Sequence, residues 1–239
     1  MSKTLVIIPT YNEKENIEAI VRAVFSQENN FDILIVDDSS PDGTAEIVKQ
    51  LQSEFLNLFL EVRKEKNGLG TAYIHGFKWA LANGYDYIME MDADFSHNPS
   101  DLIKLNNACK VDGADYAIGS RYVNNKINVV QWDFKRLFLS YFASKYVRII
   151  TGIPIYDTTA GFVCYHKKVL ESIDLDKIEF VGYAFQIEMK FNAWKKGFKH
   201  KEVSIIFTDR KRGTSKMSSS IISEAIFGVI KMKLKGLQS

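Results

Sequence analysis

A chain of 239 residues with 46% hydrophobic and 25% charged residues has the balance of a globular domain, which excludes disordered and collagen-like classes. Its two cysteines, Cys109 and Cys164, make neither a metal-ligand pattern nor a disulfide framework, so a reducing compartment is the default. The net charge of +2 is unevenly divided: residues 1–112 hold 10 Lys and Arg against 18 Asp and Glu, and residues 113–239 hold 21 against 11. The acidic half suits a metal ion and the basic half suits phosphate, although solvated faces give the same composition. No nucleic-acid partner is expected. Met1 leads within three residues into an apolar run without a cleavage site, so no leader is expected. No apolar stretch approaches the ~20 residues that span a bilayer.

Along the chain, "TLVIIP" reads as a buried strand ending at Pro9. A helix follows over residues 12–27, with Ile17, Ile20, Val21 and Val24 at helical spacing and Asn12 as its cap. "FDILIVDD" is a second strand, residues 40–55 a turn and helix, and "LFLEVRK" a third strand. Residues 68–84 form a helix stopped by Gly84. "YDYIMEMDAD" is a fourth strand, residues 98–113 a helix with Pro99 near its first turn, and "ADYAIGSRY" a fifth strand. This alternation predicts an α/β fold with a mostly parallel sheet covered on both faces. Such sheets bind ligands outside the carboxyl ends of their strands. There the sequence places Thr10 to Glu13, Asp37 and Asp38, Asp92 and Asp94, and Ser120 and Arg121.

Asp92 and Asp94 close an apolar run. In a strand they would point the same way and repel unless a cation lay between them, and Mg²⁺ or Mn²⁺ prefers such oxygens. Solvated or helix-capping aspartates are the bland alternative. "IIPTYNE" lacks a dinucleotide fingerprint, and no P-loop occurs. None of the four histidines has a nucleophile context; His97 is either a metal ligand or a loop residue. A phosphatase would want its aspartate pair near the first strand with Thr following, whereas Phe95 follows Asp94.

Later segments leave choices open. Residues 132–154 read as a long aromatic, basic helix that packs on the core or lies at a membrane surface. "DTTAGFVCY" reads as a turn. Glu188 is a buried functional carboxylate or a helix-surface residue. Residues 207–218, with Arg210, Lys211, Arg212 and Lys216 around Gly213, suit a diphosphate or form a solvated charge run.

The segments "PTYNE", "VDDSSPDGT", "GLGTAYIHGF", "MDADFSH", "GSRYV", "DTTAGF", "GYAFQIEM" and "RGTSK", in this order, resemble glycosyltransferase family 2, inverting enzymes of the GT-A fold. Within it the chain is similar to the polyprenol-phosphate mannosyltransferases. The resemblance implies mannose transfer from GDP-mannose to a polyprenyl phosphate, with a UDP-sugar donor or a non-catalytic nucleotide-sugar-binding domain as alternatives. It implies that Pro9, Tyr11, Glu13, Val36 and Asp38 hold the nucleoside and that Asp92 and Asp94 bind Mg²⁺ or Mn²⁺. Arg121, Arg210 and Lys216 would face phosphates, with Asp94 and Arg121 catalytic. Arg136 and Ser140, four apart on one helix face, would grip the lipid phosphate. Residues 1–217 would be the GT-A domain. Residues 218–239 would be an amphipathic tail, not a transmembrane helix, docking on a membrane or a membrane-anchored partner. The expected location is cytoplasmic, peripheral to the cytoplasmic face of a membrane.

Overall fold

The computed structural model describes residues 2–27, 31–123, 127–130, 134–208 and 228–236, the side chains of residues 134–136 and 183 excepted. Its elements run β1 (Thr4–Thr10), α1 (Ile17–Phe25), β2 (Asp32–Asp37), α2 (Thr44–Leu51), β3 (Leu58–Val62), α3 (Leu69–Ala82), β4 (Tyr87–Glu90), α4 (Asp101–Lys110) and β5 (Tyr116–Ser120). They continue with β6 (Val129–Val130), α5 (Phe134–Thr151), β7 (Val163–His166), α6 (Lys167–Ser172), α7 (Tyr183–Lys195), β8 (His200–Ser204) and β9 (Phe207–Thr208). Residues 228–235 form a further helix, α8.

The main sheet has the order β3-β2-β1-β4-β7-β5-β8. All its pairings are parallel except those of β7, which runs antiparallel between β4 and β5. The expected mostly parallel sheet with two covered faces is present. Strand alternation sends Leu5, Ile7, Leu34, Val36, Ile88, Val163, Tyr165, Tyr116 and Ile118 to one face, under α3, α5, α7 and α8. Val6, Ile8, Ile33, Ile35, Met89, Cys164 and Ala117 go to the other, under α1, α2 and α4. Each face removes a continuous apolar layer from water, the dominant favourable term in folding. Helix α3 lies so close to the sheet that a Cβ on Gly76 would stand 2.8 Å from the Ile7 side chain.

Three expectations need correction. The first helix begins at Ile17, because Asn12 adopts a left-handed φ of 57° and residues 13–16 fold as a turn. Asn12 therefore does not cap it; its N–H donates to Ser40 Oγ at 2.9 Å. Second, "DTTAGFVCY" is only partly a turn, since Val163–His166 is the central antiparallel strand. Four residues are too short a run to stand out by periodicity. Third, β8 went unseen because its half-exposed "HKEVS" shows no apolar run.

Of the tail expected over 218–239, only α8 and Gly236 lie within the described residues. α8 buries Val229 and Met232 in the larger core cluster, while Lys231 and Lys235 pair with Glu179 at 2.5 and 2.6 Å. Residues 218–227 and 237–239 lie outside the described residues. Among the described residues no helix is long and apolar enough to cross a membrane.

Candidate active site

The carboxyl ends of β1, β2 and β4 converge at one edge of the sheet, each followed by a turn holding one left-handed residue: Asn12, Ser39 and Phe95. A non-glycine residue in that conformation is uncommon and marks a backbone held by its surroundings. Fully buried Asp37 supplies the hold between β1 and β2. Its carboxylate accepts from Thr10 Oγ1 at 2.8 Å and from the N–H and hydroxyl of Ser40 at 2.8 and 2.6 Å. Asp42 does the same one turn later, accepting from Thr44 and from the Lys14 N–H. Burial raises its pKa, but these donors outweigh it and hold the carboxyl below its usual range.

The nucleoside-binding residues expected from sequence divide by environment. Pro9 and Tyr11 are half-buried at the end of β1, with Lys66 Nζ 4.2 Å from the Tyr11 ring centre. Glu13 Oε2 accepts from Asn16 Nδ2, and its N–H donates to Thr44 Oγ1. Asp38 makes a bidentate pair with Arg63 at 2.6 and 2.8 Å, and Arg63 continues to Thr71 Oγ1. Val36 is wholly buried and packs into the core cluster, so its side chain supports the strand end instead of lining the surface.

β4 stops at Glu90, so Asp92 and Asp94 project from a turn and not from the pleat that the sequence suggested. The Asp92 side chain keeps 38% of its exposure, whereas Asp94 is buried and its Oδ1 accepts the Ser96 N–H at 3.0 Å. His97 is buried too, stacked on Phe162 at 4.7 Å, and its Nδ1 accepts the Asp92 N–H at 3.3 Å. Burial pushes this imidazole down to about 4, so at neutral pH it is an uncharged brace for the turn. Among the described residues no group of three His, Cys, Asp or Glu side chains converges on one point. Two carboxylates on an open edge nevertheless fit Mg²⁺ or Mn²⁺, which commonly take one or two protein carboxylates and complete their shell with substrate phosphates and water.

Arg121, at the end of β5, is nearly buried and clamped. Nε and Nη2 donate to Asp157 at 2.8 and 2.6 Å, Nη2 also reaches Thr159 Oγ1 at 2.9 Å, and the backbone N–H donates to Asp157 at 2.9 Å. Asp157 is fully buried; burial raises its pKa, but Arg121 outweighs that and holds it below the ordinary range. Part of the charge of this arginine, expected to face phosphates, is balanced by a buried carboxylate. The next residue, Tyr122, donates its hydroxyl to Ser140 Oγ at 2.8 Å and so fixes α5 against the same edge. Arg136 lies one turn earlier on α5, its side chain outside the described residues. Arg210 and Lys216 also lie outside them.

Beneath the edge, Glu90 Oε1 accepts from Gln186 Nε2 at 3.1 Å, and its other oxygen has no hydrogen-bond partner among the described residues. Desolvation raises this carboxyl to about 8. Glu188 is buried and not a helix-surface residue; it accepts the N–H groups of Glu179 and Phe180. Asp157, Tyr122 and Lys190 escaped sequence reasoning. A charged residue inside an otherwise apolar or small-residue stretch was the available signal at Asp157 and Lys190, while Tyr122 had none.

The family profile described as glycosyl transferase family 2 matches residues 5–174. The chain belongs to this family. It is a glycosyltransferase, and the strand ends just described are its candidate active site. It is 46% identical over 235 residues to the polyprenol monophosphomannose synthase of Mycolicibacterium smegmatis, covering 98% of this chain and 88% of that protein. Among solved structures, glucosyl-3-phosphoglycerate synthase from Mycobacterium tuberculosis with Mn²⁺, UDP and phosphoglyceric acid matches with a TM-score of 0.69 at 14% identity, covering 100% of this chain and 80% of that one. The mannosyltransferase PcManGT from Pyrobaculum calidifontis, in complex with GDP-Man and Mn²⁺, matches with a TM-score of 0.57 at 19% identity, covering 88% and 58%. At such identities the structural likeness establishes the fold alone.

Proposed function

We propose that this glycosyltransferase moves mannose from GDP-mannose to a polyprenyl phosphate with inversion at the anomeric carbon. One observation carries the reading: the Tyr122–Ser140 hydrogen bond brings the helix of Arg136 and Ser140 to the sheet edge of Asp92, Asp94 and Arg121. A site for the donor diphosphate and a site for a second phosphate then adjoin. The name of the M. smegmatis relative and the GDP-Man held by PcManGT support the same choice of substrates.

In this reading Pro9, Tyr11, Glu13 and Asp38 border the nucleoside, and Arg210 and Lys216 approach the diphosphate. Asp92 and Asp94 hold Mg²⁺ or Mn²⁺, which supplies positive charge for the departing GDP. Arg136 and Ser140 orient the acceptor phosphate. Its oxygen is already anionic, so it attacks the anomeric carbon without a general base. The new C1–O bond forms opposite the breaking C1–O bond, and the electron pair leaves with GDP. Arg121 lies between two anions, with Asp157 fixing its direction so that no reorganisation is needed as charge shifts.

The outward face of α5 suits a membrane-bound acceptor. Phe138, Leu139, Tyr141, Phe142 and Ile149 are exposed there, beside Lys145. Aromatic and aliphatic side chains with interleaved cations favour an anionic interface. This face is a better candidate than α8 for peripheral attachment to the cytoplasmic side of a membrane, because α8 commits Val229 and Met232 to the core.

Incubation with GDP-mannose, Mn²⁺ and a short polyprenyl phosphate, followed by mass spectrometry, is expected to yield the mannosyl phospholipid. Calorimetry is expected to rank GDP-mannose above UDP-glucose. No lipid product, or the reverse ranking, refutes this choice of substrates.

A further inference from the structure

Lys190, on α7, is fully buried. Its ammonium donates to Ala160 O at 2.6 Å, Gln186 O at 3.0 Å and Gln186 Oε1 at 3.2 Å. These acceptors are neutral oxygens, and desolvation lowers the lysine to about 8 against the attraction of the nearby Glu90 and Asp157 carboxylates. Burying an ammonium on neutral acceptors is unfavourable, and an apolar side chain of similar length would fill the volume at lower cost. What the ammonium holds accounts for its presence. Ala160 belongs to the loop of residues 157–160, whose Asp157 and Thr159 grip Arg121. At its other end this loop is tied by Glu202, which accepts the N–H groups of Tyr156 and Asp157. Gln186, the second acceptor, reaches Glu90, two residues before Asp92.

We propose that Lys190 is a positioning residue for Arg121: it pins the 157–160 loop from below, through Ala160 O, so that Asp157 and Thr159 present the guanidinium in one orientation. The same ammonium, through Gln186 and Glu90, ties that loop to the strand leading to Asp92. Lys190 touches no substrate in this scheme; it acts through the loop. The catalytic consequence rests on the mannosyl-transfer reading, whereas the structural consequence does not.

The test has two arms. In the first, NMR measures hydrogen exchange of the Arg121 Nε–H, which donates to buried Asp157. Lys190→Met is expected to accelerate it about tenfold or more, as local opening of the loop becomes easier. In the second, a double-mutant cycle combines Lys190→Met with Arg121→Lys. Alone, Lys190→Met is expected to lower kcat about tenfold, with the Kd for GDP and Mn²⁺ within about twofold. On the Arg121→Lys background it is expected to add less than about twofold, since residues acting through one another are not additive. A general loss of structure would instead lower both backgrounds alike. If Lys190→Met does not fold, Lys190→Leu, which likewise lacks a donor, carries both readouts. Unchanged exchange, or full additivity in the cycle, overturns the proposal. Absence of transfer by the unaltered protein overturns the mannosyl reading and leaves the exchange arm standing.

Discussion

The turns after β1, β2 and β4 and the clamp after β5 share one edge of the sheet but are held differently. On the first side, the strand ends lace directly to one another: Asp37 to Thr10 and Ser40, Asp38 to Arg63, and Asp42 to the Lys14 N–H. On the second, the clamp draws in segments from outside the first four strands: Arg121 with Asp157, Tyr122 with Ser140, and Tyr156 with Glu202. Adjacent parallel strands bring the first set of turns together directly. The clamp after β5 is assembled instead from α5, the 157–160 loop and β8, and it depends on the packing beneath it.

The largest expected effect breaks the first side. Asp94→Ala removes the buried member of the proposed metal pair and is expected to lower transfer about a thousandfold, a loss of several kcal/mol of charge stabilisation, read as turnover at saturating Mn²⁺. Next, Asp157→Asn strikes the second side by removing the negative charge that balances buried Arg121. It is expected to cost about 3–5 kcal/mol in denaturant unfolding. The Kd for GDP is expected to stay near that of the unaltered protein, because the β1–β2 turns are untouched. Ser140→Ala is milder: it is expected to raise the acceptor KM roughly fivefold, the worth of about one hydrogen bond, without changing donor affinity.

The smallest effect is a control remote from both. Glu179 is held down to about 2 by hydrogen bonds from Lys231 and Lys235. A carboxylate whose pKa is depressed on folding contributes stability that is complete above its unfolded value near 4.5 and is lost as pH falls through about 2. Hydrogen exchange in α8 is therefore expected to rise over that window, and a flat profile would show the pairs to be inert. The expected change is slight, because exposed ion pairs contribute little.

Local patterns set what the sequence reveals. Apolar runs in β1, β2, β4 and β5, and the 3.6-residue stripe of α1, are local patterns, so alternation and strand ends could be read directly. Asp92 and Asp94 stood out because they terminate such a run. Clamping of Arg121 could not be read, because its partner lies 36 positions away in a segment without periodicity. β7 was hidden for a related reason: flanked by neighbours on both sides, a central strand can be only four residues long.

The position of β7 also bears on the order in which the chain acquires its shape. β1, β2, β3 and β4 can pair as soon as they are made, but β5 has no place beside β4 until residues 163–166 insert between them. During synthesis, the edge of β4 is made more than 70 residues before the strand that covers it.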